Sequence, residues 1–509
     1  MPLQGVQRGS INKLNGDPLT PLYPSKPGVF KSQSVDSARS KEILPSIPVL
    51  PISYTAAYQI ISRMEGRPVP FAWQGLLNVT YRVGPGMKDN GKVTIDVKAT
   101  FETRHIHNVI GYIPGVDEED RYVILGNHFD AWVYGSMDPN SGTAILAEVA
   151  RAMVETMKNS TWKPARSLMF VAWDGGSYGS MGSTEFVEEF AAQLVTRAVA
   201  YLNVEAIHGN HSLHVSSVPS LHNILMESAK RIPNPIQEQV YLGRKTLYDS
   251  WLKTFPNKKA LGHAPLIPIP GGESDHVAFL TFAGIPVVDI SFKNHTHHGT
   301  FPLQNTIYDT VQLSELYDSE GFSIHRSLAQ YWAELARSLS DSPVLPLNVS
   351  VLAEEINDNY VVDVRKELFT LPSSQNLIEA KQQFILLEKA AQKLQNAAGV
   401  FTHHARNVRD ELQFNPFDQR DLRGVNERIM MTERCFVDSR GSQQQHRHIL
   451  YSVSPGKSYT GRIFGAVYDA IEEYSISRDK AKSGRAIAQQ ISVVYHAVNC
   501  AMASLRHFL

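Results

Sequence analysis

Apolar and polar positions change rhythm twice along the chain. Over residues 1 to about 105 no period is sustained. Pro18, Pro21, Pro24, Pro27, Pro45, Pro48 and Pro51 punctuate the first half. Strand-like runs such as Val93 to Val97 follow, and no long amphipathic helix is predicted. From about 106 to 340, short apolar runs alternate with helical stripes. Tyr122–Leu125, Ser167–Ala172, Val199–Val204 and Ile285–Ile290 read as buried strands, and Ile145, Leu146, Val149, Met153 and Val154 as one helix face. That alternation predicts an α/β unit with a mostly parallel sheet flanked by helices. From about 350 the period becomes helical. Leu377, Ala380, Phe384, Leu387, Ala391 and Leu394 form one stripe, with Gly399 read as its stop. Ile487, Ile491, Val494, Val498, Ala501 and Leu505 form another. Such stripes either pack on the body of the protein or form a subunit interface, and pattern alone leaves both open. The expected units are 1–105, 106–342 and 343–509.

Composition narrows the classes. The chain has 509 residues, 43% hydrophobic and 19% charged, with a net charge of −1. That is ordinary globular composition without a basic footprint for nucleic acid. No run of 18 apolar residues predicts a membrane span, and Met1 to Leu14 lacks the apolar centre of a signal peptide. The two cysteines, Cys435 and Cys500, do not make a disulfide framework and decide little about compartment. Five N-x-S/T sequons, at Asn78, Asn159, Asn210, Asn294 and Asn348, lean towards an extracellular glycoprotein.

The chemistry-bearing segment is Gly126-Asn127-His128-Phe129-Asp130-Ala131-Trp132, followed by Gly135-Ser136-Met137-Asp138-Pro139-Asn140-Ser141-Gly142. It leaves a strand and opens a helix, where open α/β sheets bind ligands. A His there can bind zinc, with Asp130 orienting its ring. A His and two Asp near a turn are, by themselves, more often structural.

Several motifs in order resemble one family: glutamate carboxypeptidase II, the N-acetylated-α-linked acidic dipeptidases and transferrin receptor. They are Gly5-Val6-Gln7-Arg8-Gly9, Gly16-Asp17-Pro18-Leu19-Thr20-Pro21, Asp120-Arg121-Tyr122-Val123-Ile124-Leu125-Gly126, Trp173-Asp174, Gly182-Ser183-Thr184-Glu185 and Val467-Tyr468-Asp469-Ala470. The resemblance implies a zinc-exopeptidase-like sheet, a partial β-rich apical domain and a C-terminal helical dimerisation domain. It also implies a homodimer on the extracellular face of a single-pass type II membrane protein. In family members the anchor and the earlier part of the apical domain precede the segment that matches Met1.

The family's active members hold two zinc ions and a glutamate base that activates the bridging water. By position, the resemblance implies His128, Asp138 and Glu205 as ligands of a single residual zinc. The base position is Gly176. The two lost ligand positions are Ser177 and Asn305. No catalytic residue is retained, so a catalytically inactive scaffold or receptor for a ligand the sequence does not name is expected. The alternative is a degenerate exopeptidase with one metal site. The family's substrate arginines fall at Asp289 and Ser291, where a carboxylate-terminated substrate loses its fork of donors. Lys457 falls near the family's carboxylate-binding lysine, across a gap. The resemblance further implies a calcium site from Thr20, Tyr23, Glu185 and Glu188; two solvated glutamates on one helix face would look the same. His295, His297 and His298 either replace the lost ligand or are merely exposed histidines.

Overall fold

The structure is a computed structural model. It describes the chain except residues 1, 12–13, 30–32, 261, 273, 295–300, 373, 413–418, 439–446, 455–456 and 507–509, and except the side chains of 419–420 and 453–460. His295, His297, His298 and the Lys457 side chain lie outside the described residues.

Six strands form one mixed sheet: β1 (Val109–Ile113), β2 (Glu118–His128), β3 (Arg166–Trp173), β4 (Ala198–Asn203), β5 (Ser212–Ser217) and β6 (Val287–Lys293). Their order is β1-β3-β2-β4-β6-β5. The β2–β3, β2–β4 and β4–β6 pairs are parallel, and the two edge strands are antiparallel. The central strands carry near-continuous apolar runs because helices cover both faces. Val123, Ile124, Leu125, Ala200 and Leu202 are wholly buried. Among the helices, Asn140–Asn159 buries Ile145, Leu146, Val149 and Met153, whereas Val154 faces solvent.

The parallel register decides where chemistry sits. Gly126 pairs with Asn203, which pairs with Asp289, and His128 pairs with Trp173. The carboxyl ends of β2, β3, β4 and β6 therefore open on one edge, where such sheets take ligands. Arg166 anchors the opposite end. Its guanidinium donates to the carbonyls of Leu339 (3.1 Å), Ser342 (2.7 Å) and Pro343 (2.9 Å) at the end of the helix Ser323–Asp341. Glu118 pairs with it at 2.6 Å. A cation on the last carbonyls of a helix satisfies groups the helix cannot.

The C-terminal region is helical. Ile378–Glu411 and Lys480–Ser504 pack along each other, and both predicted stripes are buried within the chain. Gly399 does not stop the first helix, which runs twelve residues further, to Glu411. The reason is that Ala398, Phe401, Ala405 and Val408 continue the buried face. Packing of that face outweighs the roughly 1 kcal/mol that one glycine costs a helix. Cys435 and Cys500 are disulfide-bonded, with Cα atoms 5.5 Å apart, tying the end of the helix Gln419–Arg434 to the last helix.

Residues 1–105 differ from expectation. Among the described residues they hold two short α-helices, Val35–Ser40 and Tyr54–Ile61, two single-turn 3₁₀ helices, Phe71–Trp73 and Lys88–Asn90, and isolated bridges such as Pro68–Arg82. Val93–Val97 belongs to no ladder, and Val93, Ile95 and Val97 are 49%, 50% and 40% exposed. A strand needs a partner for its backbone groups, and none pairs with this run. Among the described residues no helix is long and apolar enough to cross a membrane.

Candidate metal centre

The centre is built by two strand ends, the turn after the first of them and one later loop. β2 delivers His128. The turn after it brings Asp138 to the start of the helix Asn140–Asn159. Asp309 holds that turn by accepting from Met137 N–H (2.7 Å) and Asp138 N–H (3.2 Å). The segment after β4 carries Glu205. It is pinned by Asn127 Nδ2, which donates to the carbonyls of Val204 (3.1 Å) and Glu205 (2.9 Å). Ile207 N–H donates to Ser141 Oγ at 2.9 Å. Gly142 permits this approach, since a Cβ there would stand 2.4 Å from both Asn127 Nδ2 and the Val204 carbonyl.

His128, Asp138 and Glu205 converge. One donor atom from each lies within 4.8 Å of the others, and among the described residues this is the one such His, Cys, Asp or Glu cluster. His128 Nε2 is 3.5 Å from Asp138 Oδ1 and 3.9 Å from Glu205 Oε1. The other ring nitrogen, Nδ1, lies 3.1 Å from the Asp130 carbonyl and 3.4 Å from its Oδ1. Asp130 thus orients the imidazole, as second partners of metal-bound histidines do. Asp130 is itself held by the N–H groups of Gly176 (2.6 Å) and Ser177 (3.0 Å).

The charges around this point strain one another. Burial alone would lower the His128 pKa, but hydrogen bonds to Asp130 and Asp138 overcome it and raise it well above the ordinary value. Burial and the charges of Asp138 and Asp289 push Glu205 well above the usual carboxylate range. Asp275, 1% exposed, is also raised by burial, and it accepts from Ser183 Oγ at 2.6 Å. Crowded buried carboxylates beside one imidazole fit a divalent cation, and nitrogen and oxygen donors suit zinc.

The positions where the resemblance puts the ligands of a second ion are filled differently. Ser177 turns its hydroxyl to the Asp130 carbonyl at 3.1 Å. Asn305 has φ of 58°, and its carbonyl accepts from Arg8 N–H at 3.0 Å. Gln304, invisible as a site residue in the sequence, donates its amide to Asp138 Oδ2. The carboxylate oxygen not facing His128 is therefore occupied by a neutral donor. Gly176 packs directly on His128: a Cβ there would stand 2.5 Å from His128 Cβ and Cγ. Its φ is not positive, so the obstacle to a side chain is the ring and not the backbone.

At the positions where the resemblance puts the family's arginines, Asp289 accepts from Asn203 Nδ2 at 2.8 Å and Ser291 Oγ donates to the Ala206 carbonyl at 2.7 Å. Burial lowers the pKa of Lys293 against the charges of Asp289 and Glu205. The segment 16–26 lies along the helix Met181–Arg197. Glu185 accepts from Asp17 N–H (2.7 Å), and Glu188 Oε1 from Leu22 N–H (2.9 Å). Glu188 Oε2 is buried without a partner, and burial with the charge of Glu185 raises that carboxyl to about 8. Thr20 is buried and Tyr23 is 59% exposed. Of the sequons, Asn78, Asn159 and Asn210 are exposed. Asn294 is half-buried and accepts from Asn210 N–H, and Asn348 caps the helix Val349–Glu354.

A mostly parallel sheet with His, Asp and Glu gathered at the carboxyl ends of its central strands is the arrangement expected of a zinc exopeptidase. Family models agree: residues 108–312 match peptidase family M28, and residues 383–506 match the transferrin receptor-like dimerisation domain. A glutamate carboxypeptidase 2 homolog of Caenorhabditis briggsae is 46% identical over 99% of this chain and 66% of its own length. The mouse aminopeptidase NAALADL1 is 32% identical over 99% of this chain and 67% of its own length. Among solved structures, the Bacillus subtilis zinc aminopeptidase BSAP is 19% identical with a TM-score of 0.32, covering 45% of this chain and 48% of that one. The chain belongs to peptidase family M28, in its glutamate carboxypeptidase-like branch. It spans about two thirds of the length of these relatives.

Proposed function

We propose that this protein is a catalytically inactive member of its family, acting as a cell-surface scaffold or receptor. The observation that carries this reading is Gly176. The family's base position holds no carboxylate, and His128 fills the space a side chain would need. A positioned general base contributes about 10²–10⁴-fold. Ser177 and Asn305 remove two further ligands, so the two-metal clamp is lost with the base.

His128, Asp138 and Glu205 would hold one zinc ion, which supplies Lewis acidity when bound. Asp130 fixes the imidazole, Asn127 fixes the Glu205 backbone, and Gln304 satisfies the spare oxygen of Asp138. Gly176, at the family's base position, carries no group that could accept a proton from an attacking water. A second reading, a one-metal exopeptidase, is favoured by the convergence of the three donors within 4.8 Å.

Three proposals complete the account. The unpartnered Glu188 oxygen, with Glu185 and the segment around Thr20 and Tyr23, supports a calcium site that ties residues 16–26 to the peptidase-like unit. The dimerisation-domain match supports a homodimer. The internal burial of the two helical stripes means that the interface uses other surface. An extracellular, glycosylated position on a type II membrane protein, with units at 1–105, 106–342 and 343–509, follows the family. The direct test is zinc content: equilibrium dialysis of folded protein should give at most one zinc per chain. Two zinc ions per chain would refute the account of the lost ligands.

A further inference from the structure

Residues 92–102 carry the pattern of a strand without being one. They read Lys92-Val93-Thr94-Ile95-Asp96-Val97-Lys98-Ala99-Thr100-Phe101-Glu102. Apolar and polar residues alternate throughout, the period of a strand with one apolar face. Among the described residues no N–H or carbonyl of this run enters a backbone–backbone hydrogen bond, and every residue of the run is exposed. Its side-chain contacts are at the surface. Lys98 lies 3.8 Å from Asp96, Arg104 donates to Glu102 at 2.8 Å, and the Arg39 guanidinium stands 5.2 Å from the Phe101 ring centre. Val93, Ile95, Val97 and Phe101 stay in water beside unpaired backbone groups. Such a run is a template for another strand.

The order of the side chains says which strand fits. When the run is laid antiparallel on a second copy of itself with Val97 at the two-fold axis, Lys92 faces Glu102 and Val93 faces Phe101. Thr94 then faces Thr100, Ile95 faces Ala99 and Asp96 faces Lys98. Every charge meets its opposite, every apolar residue meets an apolar one, and threonine meets threonine. These are the opposed pairs that stabilise antiparallel ladders: aromatic with β-branched, threonine with threonine, cation with anion. The two-fold makes each of these pairs occur twice. Neighbouring registers lack the match. An axis at Asp96 or Lys98 sets that charge against itself, one at Ile95 opposes Lys92 to Lys98, and one at Ala99 opposes Asp96 to Glu102. We propose that residues 92–102 are a homophilic docking strand, pairing antiparallel about Val97 between two copies of this chain. The pairing depends neither on the metal centre nor on the helical region.

A two-stranded ribbon of this length is marginal in water, so the test traps it covalently. Cys435 and Cys500 are bonded to each other and leave no free thiol to compete. Val97→Cys should give a disulfide-linked dimer on mild oxidation, because directly opposed Cβ atoms in a ladder come within reach of a bridge. Ile95→Cys and Ala99→Cys should each remain uncrosslinked alone, and their mixture should cross-link. In the Val97→Cys background, Lys92→Glu should slow cross-linking at least about threefold, since two opposed pairs turn from attraction to repulsion. Adding Glu102→Lys should restore the rate. All these positions are exposed, so the substitutions leave the core untouched. Val97→Cys that stays uncrosslinked would overturn the proposal. So would cross-linking of Ile95→Cys alone at the rate of Val97→Cys, or a Lys92→Glu rate that is unchanged.

Discussion

Replacing Gly176 by alanine separates packing from chemistry at the lost base position. At a glycine with negative φ and open surroundings, alanine normally stabilises by about 0.4–1 kcal/mol, because the unfolded chain loses freedom. Here the new Cβ would lie 2.5 Å from His128 Cβ and Cγ and 2.7 Å from Nδ1. Comfortable carbon contacts are about 3.5–4.0 Å, so the overlap is on the order of 1 Å with three atoms. The ring has little room to retreat, because it is 7% exposed and held between Asp130 and Asp138. Overpacking of this kind costs about 1–3 kcal/mol. Gly176→Ala should therefore lower the unfolding free energy by a net ~1–2 kcal/mol, read as a lower urea midpoint at constant m-value. It should also weaken zinc binding, since His128 must shift. Stability equal to or above that of the natural chain would refute this reasoning. The same clash bears on repair. Gly176→Glu, Ser177→Glu and Asn305→His together supply the missing groups, but the base re-enters only if the loop or His128 moves.

Three further outcomes are expected. Glu433 is 2% exposed, and burial raises its carboxyl from 4.5 to about 7, opposed by Arg434. A raised acid favours folding below its unfolded value and loses that contribution as pH climbs towards 7. Glu433→Gln should therefore flatten the fall in stability between about pH 4.5 and 7, a change on the order of 3 kcal/mol in pH-dependent unfolding curves. The Cys435–Cys500 bridge closes a separation of 65 residues. Cys500→Ser should destabilise by about 4 kcal/mol in denaturant titration, and a loss below 1 kcal/mol would argue against the bridge. Calcium should raise the melting temperature of the natural chain, by the equivalent of about 2.7 kcal/mol at a hundredfold excess over Kd. Glu188→Gln should abolish that shift, and insensitivity of the natural chain to a strong chelator would leave Glu185 and Glu188 as solvated carboxylates.

The sheet was legible because its strands are short apolar runs between helical stripes, and β2, β3 and β4 fall where those runs lie. The long helix was misjudged at Gly399, where a local rule met a buried face that continues past it. Val93–Val97 misled for the opposite reason: strand-like composition says nothing about a partner. His128 and Asp138 could be read as a candidate site from one segment. Glu205 came only through family resemblance, since nothing local marks a glutamate 67 residues beyond Asp138 as a neighbour. Gln304 and Asp309 stayed invisible because an amide and a carboxylate that hydrogen-bond Asp138 and its turn carry no motif.

The most direct test of the central claim is turnover by the natural chain itself. Folded, zinc-supplemented protein is incubated at high loading with a library of short peptides, including glutamate-terminated ones, with and without a strong chelator. The account predicts no chelator-sensitive cleavage, because Gly176 supplies no base and Ser177 and Asn305 supply no second metal site. Robust turnover that the chelator abolishes and zinc restores would contradict it.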